Sequence, residues 1–377
     1  MSEPALTDSE IISWLREEDP QKLEELFRRA DRLRQEHVGN AVHLRGLIEI
    51  SNICRRNCLY CGVRASRSQI GRYRLTAEEV LEGARLAAGF GYGTVVIQGG
   101  EDFGLDASFI ADIVREIKKL GLAVTLSLGE RPESDWQLWR EAGADRYLIR
   151  FETSNQALFD VIHPRVGGRK SLGFLDRLGS LITLRRIGYE IGSGVMIGIP
   201  GQTYYDLARD LALFQILDLD MIGTGPFLPH PETPLGEAAL ALAAAPDASP
   251  AERFKIAAKA GFGYPISKNQ VPNTNLMGFK VIALTRLLLP DSNIPSTTAI
   301  ATNDAVHGRI TGLMSGANVI MPNLTPTKYR AMYEIYPNKS ATFDSPEETH
   351  RKAIEQIREA GRIPGTGPGP RSRGGRL

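Results

Sequence analysis

The chain has 377 residues, 42% hydrophobic and 24% charged, a mix that excludes collagen-like and mainly disordered proteins. Its 45 Lys and Arg nearly cancel its 44 Asp and Glu, leaving a net charge of +1, which argues against a basic nucleic-acid binder. No apolar run reaches the ~18 residues of a membrane span, and the acidic start MSEPALTDSEIISWLREEDP lacks the apolar core of a signal peptide; the expectation is a cytoplasmic protein with no nucleic-acid or membrane partner.

Residues 1–40 read as a helical N-terminal extension, with Leu23, Leu26, Phe27, Ala30 and Leu33 at helical spacing. The first strand is 42–50, VHLRGLIEI. From there one unit recurs, a helix ending at glycine and then a short apolar strand: GYGTVVIQGG (91–100), GLAVTLSLG (121–129), GADRYLIRFET (143–153), GYEIGSGVMIGIP (188–200), DMIGTGPFLP (220–229), NIPSTTAIAT (293–302) and GANVIMPNLTP (316–326). Glycine suits the left-handed residue after a helix, and nearly continuous apolar strands suit a parallel sheet covered by helices. Eight strands in strict alternation predict an α/β fold, a (β/α)8 TIM-type barrel over 41–362; the competing reading is an open doubly wound sheet. Residues 236–275 exceed a compact crossover by about twenty-five residues and read as a helical insertion, able to act as a flap. The end, 363–377, IPGTGPGPRSRGGRL, reads as disordered.

All three cysteines follow the first strand, in SNICRRNCLYCGVR: Cys54, Cys58 and Cys61, spaced C-x3-C-x2-C. A disulfide framework would spread them, so metal or redox chemistry is the better reading. Thiolates suit iron–sulfur clusters or zinc. Structural zinc wants four protein ligands, and the nearest histidine, His43, lies at the start of the strand. In a four-iron cluster three cysteines leave one iron open for a substrate or cofactor. The loop also falls at the carboxyl end of a strand, where barrel active sites are built. An open [4Fe–4S] site therefore ranks ahead of zinc, and zinc ahead of unligated thiols.

This motif, with Tyr60 before the last cysteine and a barrel strand in front of it, resembles the radical S-adenosylmethionine (SAM) superfamily. The resemblance implies a [4Fe–4S] cluster and SAM as cofactors: the open iron chelates SAM, and one electron cleaves it to methionine and a 5′-deoxyadenosyl radical. GGED at 99–102 resembles the family's loop for the methionine amino group, which brings in Gly99, Gly100 and Glu101. GIPGQT at 198–203 resembles the adenine-side segment, a weak signal alone because Pro-Gly turns are common. No cysteine follows Cys61, so an auxiliary cluster held mainly by thiolates is excluded, and sulfur insertion by that route with it.

Longer stretches, among them VHLRGLIEISNICRRNCLYCGVR, VTLSLGE, GADRYLIRFET, GPFLPHPETPL, LTRLLLPDSNIPSTTA and GANVIMPNLTPTKYRAMYEIYP, resemble the HydE family of radical SAM maturases of [FeFe]-hydrogenase. The methylornithine synthases resemble the chain more weakly. By position, the resemblance implies that Glu101, Ser127, Glu152 and Arg177 contact SAM. It implies that Thr125, Arg150, Thr298, Met321, Tyr333 and Tyr336 line the substrate cavity, with Arg150, Tyr333 and Tyr336 in catalytic roles. Read as residues alone, Arg177 is either a fork for the SAM carboxylate or a surface arginine on a helix over 174–187. Arg150, in the apolar strand LIRFET, is either paired with an acid or poised for an anionic substrate. Tyr333 and Tyr336, in isolation, read first as packing aromatics. The implied substrate is a small molecule or metal complex, specifically a cysteine-bound iron carbonyl cyanide complex made by another maturase. The implied partners are other hydrogenase maturases and a reductant such as flavodoxin or ferredoxin. Two departures stand out: Phe151 replaces a histidine carried by many maturases, and the surface second cluster of some is missing. The competing functions are a radical SAM mutase or lyase acting on an amino acid, and a non-catalytic iron–sulfur or zinc protein. The Glu101, Glu152 and Arg177 set argues against the latter.

Overall fold

The computed structural model describes residues 6–164, 173–267 and 269–371. Its strands are β1 (Ala41–Ser51), β2 (Thr94–Gly99), β3 (Ala123–Ser127), β4 (Arg146–Leu148), β5 (Glu190–Ser193), β6 (Met196–Ile197), β7 (Met221–Ile222), β8 (Gly225–Pro226), β9 (Val319–Ile320) and β10 (Ile363–Gly365). Every ladder is parallel. The sheet runs β1-β2-β3-β4-β5-β7, with β9 on the first strand through His43 and Val319. Residues 293–295 close the ring, because Asn293 bridges Met221 and Pro295 bridges Val319. The result is the expected eight-membered barrel rather than an open sheet. The pair β6 and β8 carries the β5 and β7 positions on toward their carboxyl ends.

Helices cover the outside as the sequence dictates. Thr76 and Glu79 form a capping box that starts Ala77–Gly89, and Thr203 and Asp206 form another that starts Tyr204–Ile216. Gly121, Gly143 and Gly188 take the positive φ that follows a helix. In Ala107–Lys119, Ile110, Ile113, Val114 and Ile117 form the buried stripe. The extension folds into Asp8–Arg16 and Pro20–Val38, which pack on Tyr204–Ile216 and Asn275–Leu288. Lys280 reinforces this docking by donating to the Leu15 carbonyl at 3.1 Å.

The insertion is helical, as expected, over Pro234–Ala243 and Pro250–Lys259, and one face of it is packed down. Leu235, Ala238, Leu242 and Ala257 share an apolar cluster with Leu59 of the cysteine loop and with Ile162, Met196 and Phe227. The tail departs from the disorder expected of it, up to residue 371; residues 372–377 lie outside the described chain. β10 pairs with residues 41–43. The Pro368 carbonyl accepts from Thr94 Oγ1 and Arg146 Nη2, each at 3.0 Å, and the Gly369 carbonyl accepts from Arg45 Nη2 and Asn293 Nδ2, each at 3.2 Å. Arg371 pairs with Asp218 at 2.7 Å and Asp291 at 2.8 Å. Glycine-rich chain can press onto the barrel's amino end where bulkier residues cannot: a Cβ on Gly93 would fall 1.6 Å from the Gly367 oxygen. Among the described residues no helix is long and apolar enough to cross a membrane.

Candidate active site

The cysteine loop leaves the carboxyl end of β1 and is shaped by its own polar residues. Arg72 gathers the carbonyls of Asn52, Val63, Arg64 and Arg67. Asn52 Nδ2 donates to the carbonyls of Gly71 and Met332, both at 2.7 Å. Arg74 grips Asp102 with two hydrogen bonds, 2.6 and 2.9 Å, and Ser51 Oγ donates to the same carboxylate at 2.8 Å. The loops after β1 and β2 thus form one unit with the segment around residue 332.

Gly100 is where these loops touch. A Cβ there would sit 2.2 Å from the Ile53 oxygen and 2.9 Å from Cys54 Cβ. Cys54 Sγ accepts from the backbone N–H groups of Glu101 (3.3 Å) and Arg56 (3.4 Å), which favours the thiolate. Burial acts the other way: it raises the Cys54 thiol, pushes Cys58 up to about 12 with help from the Cys54 charge, and raises Cys61 as well. Three crowded thiols that resist ionisation alone ionise readily on a metal. Three crowded soft donors in one loop suit an iron–sulfur cluster, the group that the chemistry of this donor set favours.

A cavity of about 350 Å³ opens beside Cys61 inside the barrel. Its wall contains Tyr60, Gly99, Ser127, Arg150, Glu152, Arg177, Thr298, Met321, Tyr333 and Tyr336. Cys54, Cys58, Gly100 and Glu101 lie outside this wall, in the loops that support it. In Glu101, Oε1 accepts from Arg55 Nε at 2.6 Å and Oε2 accepts from the Glu130 N–H at 3.0 Å. Thr125, expected in the wall, is fully buried in β3 two residues before Ser127, and its hydroxyl has no partner. Strand alternation turns both side chains inward but one layer apart.

Arg177 is not a surface arginine. Its side chain lines the cavity, pairs with Glu130 and donates to the Arg150 carbonyl. Burial opposes its charge, but Glu130 outweighs this and holds it protonated. Arg150 pairs with Glu152 at 3.1 Å while remaining a third exposed, so it is both paired and open to the cavity. Burial raises the Glu152 carboxyl against the pull of Arg150 and Arg177. Glu152 also holds φ at +61°, a strained backbone for a non-glycine residue. The Tyr60 hydroxyl lies 3.0 Å from His163 Nε2, and Nδ1 of that ring faces the Phe159 carbonyl at 3.0 Å. A carbonyl only accepts, so Nδ1 carries the proton and Nε2 accepts from Tyr60. Phe151 is fully buried against Phe174 and Phe214, so its departure from histidine leaves the cavity wall untouched.

The residue reading missed Glu130, His163 and a buried pair, Glu49 with Lys339. Lys339 Nζ also donates to the Tyr333 carbonyl at 2.9 Å, and Asn323 Nδ2 donates to Glu49 Oε2 at 3.1 Å. Glu49 had a usable signal, an acid inside the apolar strand LIEIS, the same signal that singled out Arg150.

Comparison with known proteins agrees with this geometry. The family model for the radical SAM superfamily matches residues 48–214. The [FeFe] hydrogenase maturase subunit HydE of Thermotoga maritima is 45% identical over 350 residues, 93% of this chain and 89% of that protein. The 3-methylornithine synthase of Methanosarcina acetivorans is 27% identical over 318 residues, 84% of this chain and 79% of that one. Among solved structures, a methylornithine synthase matches with a TM-score of 0.74 at 23% identity, covering 96% of this chain and 95% of that one. HydG from Carboxydothermus hydrogenoformans matches at 0.73 and 18% identity, covering 96% and 76%. The structural matches establish the fold. Identity of 45% across nearly the whole of both chains establishes kinship as well: this chain belongs to the radical SAM superfamily, as a HydE-like enzyme.

Proposed function

We propose that Cys54, Cys58 and Cys61 hold a [4Fe–4S] cluster, that SAM is cleaved reductively beside it, and that the barrel cavity takes a cysteine-bound iron carbonyl cyanide complex in [FeFe]-hydrogenase cofactor assembly. The observation that carries this reading is a cavity inside the barrel with Cys61 at one side and Arg150, Tyr333 and Tyr336 in its wall, in a chain 45% identical to HydE. When bound, cluster and SAM together supply the electron and the 5′-deoxyadenosyl radical. The chain's own residues bind and orient. Arg177, fixed from behind by Glu130, offers its fork to the SAM carboxylate. Arg150 draws the anionic part of the substrate toward the cavity centre. The barrel wall keeps out water and other hydrogen donors. Other maturases supply the complex and accept the product, a flavodoxin or ferredoxin supplies the electron, and the reducing cytoplasm keeps the thiols available.

The test is anaerobic. Reconstituted, reduced protein is given SAM, and 5′-deoxyadenosine is quantified with and without the iron complex. Formation accelerated by the complex, with an adduct to it, supports the reading. Slow formation indifferent to the complex overturns the substrate, and dependence on an amino acid would favour the mutase reading instead.

A further inference from the structure

The main cavity wall carries four cations, Arg150, Arg177, Arg309 and Lys339. Three have a carboxylate: Glu152, Glu130 and Glu49 in turn. Arg309 has none within ion-pair distance among the described residues. Its side chain makes one long contact, Nη1 to Gln356 Oε1 at 3.5 Å, and its Nε is buried with no partner. Only 7% of the residue is exposed, and burial draws its pKa down. A buried guanidinium without a counter-charge is costly.

Arg309 also faces a second cavity, of about 270 Å³, which shares Arg309, Ser340 and Ala341 with the first. Thr349 belongs to the second cavity alone. It is 2% exposed, and its Oγ1 is likewise buried without a partner. The acid in this wall, Asp344, is neutralised by Lys352 at 2.9 Å. Asn338 and Ala341 hold φ at +55° and +63° in the same wall, conformations that persist only where the surroundings enforce them.

We propose that the second cavity is a binding site for a small carboxylate or similar planar oxyanion, held by the Arg309 guanidinium and the Thr349 hydroxyl. The fork matches a carboxylate, and the hydroxyl supplies a further donor, so one ligand satisfies both orphaned groups. Because Arg309 belongs to both chambers, the site is a docking position for an anionic group next to the substrate cavity. It uses none of the cysteines and none of the residues assigned to SAM, so it stands apart from the proposed reaction.

The probe is [13C]formate, titrated by NMR into protein with its cluster loaded and oxidised. Saturable binding is expected in the wild type and in Arg150→Met. Thr349→Val should bind about tenfold more weakly, the loss of one hydrogen bond to a charged group, and Arg309→Met should not bind. Arg309→Met replaces an uncompensated buried charge with an apolar side chain, so it should fold, and its melting curve checks this. No saturable binding in the wild type overturns the proposal, as does equal binding by all four proteins. Loss in Arg150→Met, or an unchanged Thr349→Val, also overturns it by moving the formate to the main cavity.

Discussion

Lys339 Nζ lies 2.7 Å from Glu49 Oε1, and both side chains are almost entirely buried in the cavity wall. This pair joins the carboxyl end of the first strand to the segment that carries Tyr333 and Tyr336. Removing one partner leaves a buried charge alone, a loss of ~3–5 kcal/mol. Glu49→Leu and Lys339→Met should each destabilise the fold by about that much, and the double variant should recover most of it. Urea unfolding of the three variants measures both effects; additive losses would mean that the pair is not coupled.

Gly100 leaves no room for a side chain between the second-strand loop and Cys54. Gly100→Ala should displace Cys54 and lower iron content after reconstitution while far-UV circular dichroism stays unchanged. Full iron loading would show that the loop yields without cost to the cysteines.

Arg177 should act on SAM rather than on the cluster. Arg177→Ala should weaken SAM binding by roughly ten- to a hundredfold, the loss of a charged hydrogen bond, with the cluster spectrum intact. Glu130→Gln should give a smaller loss in the same direction, because Glu130 positions the guanidinium. Unchanged SAM affinity in Arg177→Ala would remove it from the pocket.

Asp210 makes stability depend on pH. It accepts from the Ser154 N–H and from Gln202 Nε2, and burial raises its carboxyl to about 7 against roughly 4 in an unfolded chain. Between those values the folded protein keeps a proton that the unfolded chain has released. Stability therefore falls as pH rises through that window and levels off above it. Urea midpoints from pH 5 to 8 should show this decline in the wild type and a flatter profile in Asp210→Asn; parallel profiles would contradict the assignment.

The barrel was legible because each strand announces itself locally, by a glycine and a short apolar run. Even 293–295, which makes little more than isolated bridges, falls in step with that rhythm. The cysteine loop was legible for the same reason, since all its cysteines lie within eight residues. Long-range pairing was not. Glu49 and Lys339 are 290 residues apart, and nothing local tells an acid in a strand which base will meet it. Nor does the GGED loop announce that the Glu101 carboxylate meets Arg55 and the Glu130 N–H. The tail misled because glycine and proline mark disorder when nothing receives them; here Arg45, Arg146 and Asn293 supply inward donors that its carbonyls satisfy.

The central claim is that three cysteines hold a cluster with one iron free to bind SAM. Electron paramagnetic resonance of the reduced, reconstituted protein, recorded before and after SAM is added, tests it most directly. A [4Fe–4S] signal whose g-values shift on SAM addition, and which is absent from Cys58→Ala, is the predicted result. A signal indifferent to SAM, or one that survives in Cys58→Ala, would contradict it.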